Sequence, residues 1–231
     1  MIIKNIDLLL DDPKVAEDFL CQILFFRREE ELLVNGNCRL RLMQRTNEER
    51  TIKEPQATYV GIEHLALEAA DINIALNYCF DQKLVLETDH GKPFYNPNVW
   101  GTGLLYFNIL TDFGVKIEIS QRLDRPAQTA APPIFGMEHL GVQVADMDKS
   151  LSYYLSLGFT QSYPTVEIIT SDRILCSMIA AGDFTVELYE FTSSSNYKSF
   201  TNEPLAGLVL MNIPGRSDTL TGPNGEKFSA A

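Results

Sequence analysis

Two stretches of the chain match each other in register: GIEHLALEAADINIALNYCFDQKLVLETD from Gly61 and GMEHLGVQVADMDKSLSYYLSLGFTQSYP from Gly136. An internal repeat constrains a fold more than local propensity does, because each copy must build the same supersecondary unit. Both copies open Gly-x-Glu-His-Leu, alternate apolar and polar residues, pass an Ala-Asp and enter a segment with helical apolar spacing. The alternation predicts a half-buried strand, and the Asp before the periodic segment predicts a helix N-cap. The earlier copy returns to strand through GTGLLYFNILT, the turn Asp112-Phe113-Gly114 and VKIEISQ; the later one does so through SDRILCSMIAA, Gly182-Asp183 and FTVELYEF. Gly and Asp between apolar runs are hairpin chemistry. Each unit therefore reads βαβββ, at 58–122 and again at 135–192.

A third copy lies at the N-terminus. IIKNIDLLLDDPKVAEDFLCQILFF aligns without gaps on the openings of the other two, with Asn5 at the place of His64 and His139. It continues through RREEELLV, the turn Asn35-Gly36-Asn37 and CRLRLMQ, which brings Arg41 level with Glu118 and Glu187. Residues 1–45 read as a shortened unit that lacks the His/Glu pair. The stretches 46–57, with Pro55, and 124–134, with Pro126, Pro132 and Pro133, have linker composition. After the expected loop Ser193-Ser194-Ser195-Asn196, LAGLVLMNI reads as a strand and TGPNGEKFSAA as a turn and short strand. Segment 203–231 is then a truncated unit, with Ser229 near the place of the last-strand Glu, or an extension that covers a sheet edge.

A chain of 231 residues, 45% apolar, can bury a core without disulfide or metal staples, so a bound metal would serve chemistry rather than folding. Its 31 acidic against 19 basic side chains give a net charge of −12, and no basic face for nucleic acid or an anionic membrane is visible. No apolar run is long enough for a transmembrane helix. The opening MIIKNIDLLLDD is interrupted by Lys4 and Asp7 and reads as a first strand rather than a secretory leader. Cys21, Cys38, Cys79 and Cys176 are scattered without a CxxC, which suits reduced thiols in the cytoplasm.

Of the three histidines, His64 and His139 occupy matched first-strand places, and Glu118 and Glu187 occupy matched last-strand places. Alternate strand residues share a face, so Glu118 points away from Ile117 and Ile119, and Glu187 away from Val186 and Leu188. Two imidazoles and two carboxylates meeting at one point make a mixed N/O site suited to Zn, Ni, Mn or Fe(II). That requires the second and third units to face each other, leaving the first to pack against the tail or a second chain. By the same alternation Glu63 and Glu138 are expected on the opposite face, solvated or salt-bridged. His90, in HGKPFYNPN, is expected at the surface. Trp100, Tyr106 and Phe107 are candidates for a pocket wall or for core. Arg39 and Arg41 are candidates for an anion site in the first unit or for a solvated face, and Glu29, Glu30 and Glu31 for a solvated edge.

The paired βαβββ units, the Glu-His-Leu strand openings and the closing Ile-Glu-Ile and Val-Glu-Leu strands resemble the vicinal oxygen chelate superfamily. It includes glyoxalase I, methylmalonyl-CoA epimerase, fosfomycin- and bleomycin-resistance proteins and extradiol dioxygenases. The resemblance implies an α+β fold in which two units form a cup around a metal held by His64, Glu118, His139 and Glu187. It implies a divalent-metal lyase or isomerase of the glyoxalase kind acting on a small oxygenated substrate, with Glu187 as base and Glu118 as its symmetry-related partner. Two other activities of the superfamily remain open, a ring-cleaving Fe(II) dioxygenase and a non-catalytic small-molecule binder of the bleomycin-resistance type. A small-molecule partner and a monomer or homodimer are expected.

Overall fold

The computed structural model describes residues 3–45, 58–125, 132–169, 173–193, 197–199, 210–212 and 219–229. The expected linker 46–57, residues 126–131 of the expected linker 124–134, residues 194–196 of the expected loop and most of LAGLVLMNI lie outside them.

The first segment runs β1 (Ile6–Leu10), α1 (Pro13–Gln22), β2 (Arg27–Glu29), β3 (Leu32–Asn35) and β4 (Cys38–Gln44). The second has β5 (Thr58–Ala69), α2 (Ile72–Asp81), β6 (Leu86–Glu87), β7 (Phe94–Asn96), β8 (Leu104–Leu110) and β9 (Lys116–Arg122). The third has β10 (Ile134–Gln143), α3 (Met147–Ser156), β11 (Thr160–Ile169), β12 (Arg173–Ala181) and β13 (Phe184–Phe191). Short strands β14 (Tyr197–Ser199), β15 (Leu210–Asn212), β16 (Leu220–Thr221) and β17 (Lys227–Ser229) complete the chain. Asp12, Asp71 and Asp146 each cap a helix by accepting hydrogen bonds from first-turn backbone N–H groups.

In every segment the first strand pairs in parallel with the last: β1 with β4, β5 with β9, β10 with β13, and in the tail β15 with β17. The second and third segments fuse through antiparallel pairing of β5 with β10, giving one sheet ordered β11-β12-β13-β10-β5-β9-β8-β6. The four central strands are therefore the first and last strands of both segments. Alternation divides their faces as expected: Ile117, Ile119, Val186 and Leu188 are all buried in the core, on the other face from Glu118 and Glu187.

The first segment is docked by its own turn. Asn35 Oδ1 accepts from Gly136 N–H at 3.1 Å, Asn37 Oδ1 accepts from Met137 N–H at 2.7 Å, and Asn37 Nδ2 donates to the Met137 carbonyl at 3.2 Å. Gly36 permits this approach: a Cβ there would lie 2.9 Å from Gly136 Cα. Phe19 meets Phe113 edge-on and Phe25 packs on Tyr78, while β1 lies beside β15 of the tail. The tail is locked by Asn224, which accepts from Ala145 N–H and donates to Ser150, and by buried Glu226, which accepts from Tyr154.

Candidate metal centre

The four matched residues stand on four neighbouring strands: Glu187 on β13, His139 on β10, His64 on β5 and Glu118 on β9. All four converge. The two Nε2 atoms are 3.0 Å apart. Glu187 Oε2 lies 3.6 Å from His64 Nε2 and 3.4 Å from His139 Nε2. Glu118 reaches the same point, with Oε1 at 3.7 Å from His139 Nε2 and Oε2 at 4.0 Å from His64 Nε2. Donor atoms of His64, Glu118 and His139 all lie within 4.8 Å of one another, a spacing that can hold a metal ion.

Room for the rings comes from two small residues. His64 pairs in register with Gly141, and His139 with Ala66. A Cβ on Gly141 would sit 2.0 Å from His64 Cε1, so only glycine leaves the imidazole its place. The aligned repeats carry this signal two residues after each His, where they read Ala66 and Gly141 and the first segment reads Asp7.

The alternation rule misplaces Glu63 and Glu138. The β5–β10 register shifts at both residues, and each forms a bulge immediately before its histidine. A bulge breaks the period of two and re-aims a side chain. Positive φ at Gly61 and Gly136, two residues earlier in each copy, accompanies it. Glu63 Oε2 thus reaches His64 Nδ1 at 2.7 Å, and Glu138 Oε2 reaches His139 Nδ1 in a short contact. Both are salt-bridged as expected, Glu63 with Oε1 at 2.6 Å from Lys116 Nζ and Glu138, which is buried, with Oε1 at 3.9 Å from Arg122.

These contacts set the electrostatics. A carboxylate at Nδ1 holds the N–H there and leaves the lone pair on Nε2. Two such lone pairs 3.0 Å apart repel unless a proton or a metal ion stands with them. Burial disfavours charge on His139, but Glu138 and Glu187 hold its pKa well above the ordinary imidazole value. Burial raises the Glu118 carboxyl to about 7 against the pull of both histidines. Burial also acts on Glu187, where the His139 hydrogen bond and charge outweigh it and bring the pKa to about 2. Glu187 Oε1 accepts from the Cys176 thiol at 3.2 Å, which leaves Oε2 turned to the histidines. Glu118 Oε1 is buried without a hydrogen-bond partner. An orphaned carboxylate oxygen, a glycine cradle and two facing Nε2 atoms fit a divalent cation.

The site opens into a cavity of about 460 Å³ with His64, Glu118, Glu187, Tyr106 and Cys176 in its wall. Phe107 is core, and Trp100 stacks with Arg122, its ring centroid 3.6 Å from the guanidinium carbon. The His90 side chain is fully exposed and Glu29, Glu30 and Glu31 lie at the surface, as expected. In the first segment Arg41 pairs in register with Asp7 and forms an ion pair with it, while Asn5 donates to the same carboxylate at 2.5 Å. Asp7 is completely buried, so the Arg41 charge is committed to it rather than to an external anion.

This architecture is a glyoxalase-like α+β fold. Glyoxalase I from Zea mays is similar at a TM-score of 0.62 and 14% identity, over 98% of this chain and 90% of that one. A candidate dioxygenase from Bacillus subtilis subsp. subtilis str. 168 is similar at a TM-score of 0.50 and 13% identity, over 81% of this chain and 63% of that one. At these identities the likeness is one of fold. No protein-family model matches the sequence, and no curated protein matches it.

Proposed function

We propose that the chain is a divalent-metal-dependent lyase or isomerase of the glyoxalase kind, moving a proton between adjacent carbons of a small oxygenated substrate. The observation that carries this is the convergence of two Nε2 atoms 3.0 Å apart with Glu118 and Glu187 on the wall of one cavity. His64, Glu118, His139 and Glu187 would hold the metal; two nitrogens and two oxygens suit Zn, Ni, Mn or Fe(II). A divalent ion held by these residues would supply Lewis-acid polarisation of a substrate carbonyl and so acidify the neighbouring C–H. Glu187 takes that proton and returns it to the adjacent carbon, and Glu118 does the same for a substrate of opposite hand. Glu63 and Glu138 keep each ligand nitrogen bearing its lone pair, and Cys176 fixes the rotamer of Glu187.

The unit boundaries 1–45, 58–122, 135–192 and 203–231 belong to the same reading, with the first and last units carrying no metal. Parallel pairing of β15 with β17 supports counting the tail as a truncated unit. We place the protein in the cytoplasm. No helix among the described residues is long and apolar enough to cross a membrane.

One observation favours a second reading. His64, Glu118 and His139 form a compact two-His, one-carboxylate group, while one oxygen of Glu187, Oε1, is engaged by Cys176. That donor set suits an Fe(II) oxygenase. Metal-reconstituted protein incubated with α-hydroxycarbonyl compounds in D2O separates the readings. Deuterium at the carbon beside the carbonyl, lost in Glu187→Gln, supports proton transfer. Oxygen consumption with catechols and no exchange supports the dioxygenase, and neither activity together with retained small-molecule binding leaves a binding protein.

A further inference from the structure

The cavity wall beside the candidate metal centre carries a row of polar side chains. Register places Asn108 of β8 next to Glu118 of β9, and Glu87 of β6 next to Asn108, so a row of side chains leads from the site across two strand spacings, roughly 10 Å. Both Asn108 and Glu87 line the cavity. Asn108 Nδ2 donates to Glu87 Oε2 at 2.9 Å, while Asn108 Oδ1 is buried without a hydrogen-bond partner. The row therefore offers the cavity one acceptor group, the exposed Glu87 carboxylate, backed by an Asn108 amide whose Oδ1 is sealed from solvent. The single cation among the described lining residues, Lys116, is held by Glu63 at 2.6 Å. Aromatic side chains also line the cavity, with Phe94 stacked on Tyr106 at 5.2 Å and Tyr189 edge-on to Phe191 at 5.8 Å.

We infer that this site takes an uncharged aryl ligand bearing a hydroxyl donor and rejects anionic ones, with Glu87 setting the discrimination. A hydroxyl can donate to the Glu87 carboxylate; a carboxylate or phosphate there meets Glu87 with no free cation to offset it. Glu87 is exposed, so this like-charge repulsion is screened and acts on specificity at a level of roughly tenfold or less. Aromatic walls favour a planar ring over an alkyl group. The inference rests on the metal reading, since the metal anchors the ligand's other end.

The test uses three metal-chelating probes on protein loaded with one divalent ion per chain: acetohydroxamate, 4-hydroxybenzohydroxamate and 4-carboxybenzohydroxamate. Calorimetry should rank the hydroxyl probe tightest, about tenfold above the carboxyl probe and about tenfold above the alkyl one. Glu87→Gln should narrow the hydroxyl-to-carboxyl ratio to roughly threefold or less while metal content stays constant. Equal or tighter binding of the carboxyl probe, no gain from the ring, or an unchanged ratio in Glu87→Gln each overturns the inference. Failure of the metal reading itself appears earlier and separately, as absence of bound metal before any probe is added.

Discussion

The first segment and the fused second and third segments share a strand plan, yet they treat the same positions in opposite ways. In both, a parallel pair of first and last strands presents one residue of each toward a common point. In the fused pair those residues are His64, His139, Glu118 and Glu187, with Ala66 and Gly141 clearing space. In the first segment Asn5 and Arg41 stand there, and Asp7 fills the cleared position and closes on Arg41. One arrangement satisfies itself internally. The other leaves Glu118 Oε1 without a hydrogen-bond partner and two ring nitrogens facing each other. The strand plan supplies geometry, and a few side chains decide whether that geometry holds a cation or an ion pair.

That contrast can be broken by substitution. Removing a ligand has the largest effect: His139→Ala should weaken metal binding by more than the ~10–100-fold cost of losing an outer-sphere partner, measured by competition with a chelating indicator. Arg41→Ala should leave metal affinity unchanged but cost about 2–3 kcal/mol in urea unfolding, because it strands the buried Asp7 carboxylate. The figure is set below that of a fully buried pair because the Arg41 side chain keeps 35% exposure. Glu138→Gln should lower metal affinity about 10–100-fold with little change in unfolding. Gly141→Ala sharpens the comparison from the other side. It crowds His64, so it should destabilise by about 1–3 kcal/mol and lower metal affinity as well. An Arg41 variant that lost metal, or a Glu138 variant that kept full affinity, would erase the distinction between the two regions.

The repeat made much of the site legible. Matching His64 with His139 and Glu118 with Glu187 required only alignment and the period of two, and the sheet brings all four together. Glu63 and Glu138 were misread because the same period assigns them to the opposite face. Register shifts are long-range pairing events, and the sequence marked them only by Gly61 and Gly136. The clearance at Gly141 was visible as a small residue but gained meaning once β5 lay against β10. Docking of the Asn35-Gly36-Asn37 turn on Gly136 was invisible locally, since it joins residues about 100 positions apart.

Metal content tests the central claim most directly. Protein reconstituted with Zn, Ni, Mn or Fe(II), desalted and analysed by mass spectrometry of the elements, should retain one divalent ion per chain, and His139→Ala should retain none. Wild-type protein that retains no stoichiometric ion under any of the four metals would contradict the account.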